Sequence, residues 1–243
     1  MEEALELADF LPVSFKSPSE RDYIGFLWEA FDTNCASGKY QFAFLAYHML
    51  TMSFVYFKVW QIRQARNQEF QHGLIGFSKE IEKNLLEASS PFAFSSVNER
   101  SILRLLKLIE CDNGKIGSYA KLVDDRNNSA HPNGNIFYRE VGALELKVRE
   151  VMRIVREIQT HAQSATEAIY TNFLAESADS DQREFQDNAD QVREILVHQN
   201  YLSSEDIKFC LDYDPNRMGG EAITGGALAL HELLRSNYRE EVA

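Results

Sequence analysis

The chain is poor in the residues that interrupt helices: its 243 positions include only 5 prolines and 12 glycines. That scarcity excludes a sandwich of short strands joined by tight turns and leaves long helices, so the expected fold class is all-α. Cysteine is scarcer still. Cys35, Cys111 and Cys210 lie far apart and form no CxxC pair, which excludes a disulfide framework and a cysteine zinc site and fits a cytoplasmic location. The opening MEEALELADF carries acids where an export signal carries basic residues, so no such signal is expected. No uncharged apolar run reaches the roughly 20 residues of a membrane helix. The longest, Gln41 to Phe57, also contains His48, Thr51 and Ser53 and reads as a core helix, with no membrane partner.

Positive charge is also in short supply, with 25 Lys and Arg against 37 Asp and Glu and a net charge of −12. Non-specific coating of nucleic acid draws on Lys and Arg, so this balance argues against it. Residues 1–34, 174–194 and 195–243 carry −6, −5 and −4, whereas residues 35–173 carry +3. Only the middle of the chain offers a polyanion local footing.

What is present is helical periodicity. Ser19 is placed to cap a helix carrying Tyr23, Phe26, Leu27, Ala30 and Phe31. After Gly38 the pattern predicts one long helix from Lys39 to about Gln71, apolar nearly all round in its first half and polar in its second. A short helix follows Ser78. Ser96 with Glu99 forms a capping-box pattern ahead of Ile102, Leu103, Leu105, Leu106 and Ile109. Asp112, Asn113 and Gly114 read as a turn, and the stretch from Ile116 to Ala130 as a helix stopped by His131-Pro132-Asn133-Gly134. From Glu140 to Ser177, Leu144, Val148, Val151, Val155, Ile158, Ala162, Ala165 and Ile169 recur at steps of three and four, a seam suited to an antiparallel partner for the Lys39 helix. These elements make one all-helical body over residues 1–177. Residues 178–243 read as a small helical appendage with pieces around Val192–His198, Ser204–Tyr213 and Ala222–Leu234.

The segment Asp124-Asp125-Arg126-Asn127-Asn128-Ser129-Ala130-His131-Pro132 gathers Arg, Asn, Ser and His at a helix end. His131 precedes a proline and so belongs at or just past the helix terminus. Asn127 and His131 are four apart and share a face. Arg126 is five from His131, about 140° around the helix, and must reach around to meet it at one substrate. Arg126-Asn127 followed by Ala130-His131 resembles the Arg-x(4–6)-His motif of the HEPN superfamily (higher eukaryotes and prokaryotes nucleotide-binding domain). The resemblance extends over the helical region from about residue 20 to 175, and its specific part is the six-residue motif.

The resemblance implies an up-and-down helical bundle over residues 1–177 that dimerises with two motifs facing each other. It also implies a metal-independent endoribonuclease of the kind found in toxin–antitoxin and phage-defence systems. Arg126, Asn127 and His131 are the catalytic candidates, RNA is the expected partner, and an antitoxin or regulatory protein is a further candidate partner. The alternative is a non-catalytic module that holds a nucleotide, RNA or protein partner in the same groove. No cofactor and no metal site is expected, since the other histidines show no HxxxH or HExxH spacing. His48 reads as a hydrogen-bonded core histidine. Gly219-Gly220 and Gly225-Gly226 lack the remainder of a phosphate loop. Arg63 and Arg66, with Gln64, Asn67 and Gln68, form a polar helix end that reads as a solvated face or the wall of an RNA groove. The acidic residues Glu2, Glu3, Glu6 and Asp9, interleaved with Leu5, Leu7 and Phe10, read as a first helix or as an arm docking on another subunit.

Overall fold

In the computed structural model, which describes residues 1–219, 225–240 and 242, the chain is all-α, with no strand among those residues. The helices are α1 (Glu2–Leu5), α2 (Pro18–Ala36), α3 (Tyr40–Ala65), α4 (Asn67–Gly73), α5 (Lys79–Leu86) and α6 (Glu99–Leu105). They continue with α7 (Asn113–Ala130), α8 (Val141–Glu176), α9 (Asn188–Asp190), α10 (Ser204–Asp212) and α11 (Gly225–Tyr238). A π-helical stretch, Gln191–His198, extends α9. The start of the expected Ala222–Leu234 piece, together with Gly220, lies outside the described residues.

Local chemistry sets the helix ends. Ser17, not Ser19, caps α2: its hydroxyl accepts from the Glu20 amide and the Glu20 carboxylate accepts from the Ser17 amide, both at 3.3 Å. Pro18 then occupies the first helical position, where its missing N–H costs nothing. Asp112 is an N-cap, accepting from the Lys115 amide at 2.8 Å, so the expected Asp112–Gly114 turn is instead the first turn of α7. The expected Lys39–Gln71 helix is broken at Arg66 (φ −138°, ψ 55°), which separates α3 from α4. The Arg66 guanidinium turns to the Leu108 carbonyl and to Ser164 Oγ.

Contacts at the helix ends give the directions. Phe44, near the start of α3, stacks on Tyr138 just before α8, and Arg66, just past the end of α3, meets Ser164 late in α8. The two longest helices therefore run parallel, not antiparallel as their seams suggest. α7 runs against both: Ser129 at its end meets Gln41, and Lys115 at its start meets His161. The return path through α4–α7 delivers the chain back to the level where α3 began.

α3 is the only described helix long and apolar enough to cross a membrane, and 83% of its most apolar window is buried inside the protein. Around it a core forms from α2, α6, α7 and most of α8. A second core joins Ile169, Tyr170, Phe173 and Leu174 of α8 to Val192, Leu196, Ile207 and Leu230. Between the cores lies a polar knot. Lys58 Nζ, fully buried, donates to both oxygens of Asp206 (2.8 and 2.7 Å), which also accept from Gln61, Gln159, Thr166 and Ser203. Burial opposes the Asp206 charge, but Lys58 and the ring of donors outweigh it and hold the carboxyl at about 2.

The N-terminal acids pair within the chain, Glu3 with Arg149 and Glu6 with Arg156, so this segment docks on α8 of its own chain.

Candidate functional site

The end of α7 is fastened from several sides. The Ser129 carbonyl accepts from Gln41 Nε2 (2.8 Å), and the other end of that amide, Oε1, accepts from the Phe137 amide (2.9 Å). His131 is the C-cap: its amide donates to the Asn127 carbonyl (3.0 Å), and its backbone then turns extended (φ −82°, ψ 143°) ahead of Pro132. Asn133 Nδ2 donates to the Asn128 carbonyl (2.9 Å), and Gly134 takes φ +79°, a left-handed turn that a side chain would strain. The motif thus sits on a stapled helix end. The His131 imidazole is exposed to solvent.

Arg126 faces inward along the helix. Its Nη2 donates to Glu99 Oε2 at 2.7 Å, and the same oxygen accepts from His48 Nε2 at 3.1 Å. His48 is a buried core histidine on α3, as its apolar surroundings suggest, and it also anchors the carboxylate that orients Arg126. Burial opposes ionisation of Glu99, but the hydrogen bonds and charges of His48 and Arg126 outweigh it and hold the carboxyl below its ordinary value. Glu99 can play this part because it does not cap its helix. Asn98 is the N-cap of α6, its side chain accepting from the Ser101 amide (2.9 Å), while Ser96 closes a 3-10 turn over Pro91–Ser96. The Ser96–Glu99 pattern is therefore not a capping box.

Arg126 and Asn127 line an open cavity of about 610 Å3 with Tyr56, Ser95, Glu99 and Arg100. His131 is not part of that lining. Its five-residue offset from Arg126 carries it round the helix, so within one chain the structure joins two of the three candidate residues in one cavity and leaves the third on the adjoining surface. Arg126 keeps about a third of its side chain exposed (34%). Its guanidinium carries five N–H donors, and the Glu99 bond engages Nη2, so donors remain for an anion in the cavity.

The other basic candidates are committed elsewhere. Arg63 donates to the Ala88 (2.8 Å) and Leu86 (2.7 Å) carbonyls and stacks on Trp60, so it ties down the end of α5 and does not line a groove. Arg100 pairs with Asp124, and Lys147 with Asp125 (2.8 Å) and Glu150. Among the described residues no three His, Cys, Asp or Glu side chains converge as a metal site would need. Glu99 and His48 are the contributors that sequence reasoning missed; no local pattern links positions 48, 99 and 126. Compared with protein-family models, with curated proteins and with solved structures, the chain matches none.

Proposed function

We propose that the protein is a metal-independent endoribonuclease of the HEPN type, acting in the cytoplasm within a toxin–antitoxin or phage-defence system. The observation that carries this reading is the fastened end of α7. It holds Arg126 and Asn127 in an open cavity beside an exposed His131, with a carboxylate and a buried histidine behind the arginine. The alternating course of α3, α7 and α8 supports the up-and-down bundle that this reading requires.

The chemistry follows from the residue types. His131 takes the proton of a ribose 2′-hydroxyl or returns one to the leaving 5′-oxygen, as a general base and acid. Arg126 pairs with the phosphate oxygens where charge accumulates, and Asn127 hydrogen-bonds the phosphate or orients the imidazole. The nucleophile belongs to the RNA, so the products carry a 2′,3′-cyclic phosphate.

Transfer needs both a base and an acid, and one motif supplies one histidine. A homodimer with facing motifs completes the set. Its support is the apolar surface around the motif: Ile136 (56% exposed) and Phe137 follow His131, Phe42 (59%) adjoins Gln41, and Leu146 (66%) projects from the start of α8. Water-exposed apolar side chains gathered beside a site mark a contact surface.

A second reading, a non-catalytic module that holds a nucleotide, RNA or protein partner, is favoured by two observations. Arg126 already has a counter-ion in Glu99, and His131 lies outside the Arg126 cavity. Incubating the purified chain with RNA, with and without chelator, separates the two. Cleavage to cyclic-phosphate ends that DNA escapes supports the nuclease, and binding without cleavage supports the module.

A further inference from the structure

Next to the Arg126 cavity lies another of about 460 Å3, and the two share Tyr56, Ser95 and Glu99 along a common wall. A volume between about 300 and 1,000 Å3 is that of a small-molecule site. One side is aromatic: Tyr23 and Phe92 meet edge to face with ring centres 5.3 Å apart. In the rest acceptors predominate, although Ser17 and Ser19, bonded to each other at 2.9 Å, keep one free hydroxyl proton between them. Ser53 donates to the Met49 carbonyl (2.9 Å), Ser95 to the Phe92 carbonyl (2.7 Å) and Ser90 to Glu20 Oε1 (2.5 Å). Each hydroxyl proton is thereby committed, and lone pairs are what these serines have left to offer. Glu99 adds its Oε1, since its Oε2 is held by His48 and Arg126, whereas both Glu20 oxygens already accept from Ser17, Ser90 and Tyr201. Donors come from the phenols of Tyr23 and Tyr56, which burial holds above their ordinary value, Tyr56 at about 12.

We infer that this second cavity is a guanine subsite, in which the base packs against Tyr23 and Phe92 and its ribose–phosphate continues into the Arg126 cavity. Guanine presents a ring N–H and an amino group side by side, two donors for the Glu99 carboxylate and serine lone pairs, with O6 beside them to accept from a phenol. Adenine and cytosine would turn ring nitrogen acceptors toward those same lone pairs. Uracil brings a single N–H flanked by two carbonyls. Each mismatch sets lone pair against lone pair or leaves polar groups of the cavity unpaired, and a hydrogen-bonding site discriminates by that more strongly than by shape alone. The proposal rests on the RNA reading above for the placement of the phosphate, but base selection needs no cleavage.

The test is calorimetric titration of the full chain with the 3′-monophosphates of guanosine, adenosine, cytidine and uridine. Guanosine 3′-monophosphate binds at least about tenfold more tightly than the others, the margin that unpaired groups enforce. Tyr23→Ala weakens it about fivefold or more by removing a stacking face. Ser95→Trp, at an exposed position where the cavities meet, blocks it while the melting temperature stays at the wild-type value. Equal affinity for the four nucleotides, or guanosine binding that both variants leave unchanged, overturns the subsite even where RNA is cut. Guanosine-selective binding lost in both variants, in a protein that cuts no RNA, upholds the subsite and overturns the nuclease reading instead.

Discussion

Lys58 and Asp206 are both fully buried, and the two removals should not cost the same. Breaking a buried ion pair from one side costs about 3–5 kcal/mol, because the remaining charge is stranded. In Lys58→Met that charge is Asp206, which still accepts from Gln61 (2.9 Å), Gln159 (2.8 Å), Thr166 (3.2 Å) and both the amide and hydroxyl of Ser203 (3.0 and 2.8 Å). The cost therefore falls at the lower limit, about 3 kcal/mol. Asp206→Ala leaves the ammonium with the Gln61 oxygen (3.1 Å) but no counter-ion and strands every one of those donors together, and a buried unpaired group costs roughly 1–3 kcal/mol. Its cost should exceed about 5 kcal/mol, against a total stability of roughly 5–15 kcal/mol. Urea denaturation followed by circular dichroism reads both. Lys58→Met should lower the midpoint at unchanged slope, and Asp206→Ala should leave little cooperative transition. The sign of the acid effect follows from the depressed Asp206 carboxyl. Its contribution is complete above the ordinary value of 3.8 and is lost as pH falls through about 2. The wild-type midpoint should drop across that window, and that of Lys58→Met should drop less. Equal losses from the two substitutions would refute the argument that the donor ring, and not the pair alone, holds the charge.

Glu99→Gln frees Arg126 from its counter-ion and its anchor at once, so steady-state cleavage should show kcat falling about tenfold while KM also falls, a split that simple unfolding would not produce. Leu146→Glu together with Ile136→Glu should yield a monomer in sedimentation and abolish cleavage without lowering helicity. Asn98→Ala should lower stability by about 1 kcal/mol in thermal melts, the usual cost of a lost N-cap, whereas Ser96→Ala should leave it unchanged.

The long seam of α8 was legible because a 3.6-residue repeat needs no knowledge of its partners; the expected Glu140–Ser177 and the observed Val141–Glu176 differ by one residue at each end. The helix end carrying Arg126, Asn127 and His131 was legible for a similar reason, since Pro132 forces the exit locally. Direction was not. The parallel course of α3 and α8 depends on how four shorter helices return the chain, and an apolar stripe carries no sign of direction. Arg66 breaks its helix to reach Leu108 and Ser164, partners 42 and 98 residues away. Glu99 looked like a cap because its spacing from Ser96 fits one. The 3-10 turn over Pro91–Ser96 shifted the helix start to Asn98 and released the carboxylate for Arg126 and His48.

The end of α7 is proposed to cut RNA through its 2′-hydroxyl. The direct measurement is a gel assay of purified wild type, Arg126→Ala and His131→Ala on RNA in the presence of EDTA, with the fragment ends identified. Wild type should give cyclic-phosphate products, and each variant should lose about 100- to 10,000-fold in rate, the usual weight of a general acid–base group, with folding and dimerisation intact. Cleavage that persists equally in both variants, or a wild type that binds RNA and leaves it whole, would contradict it.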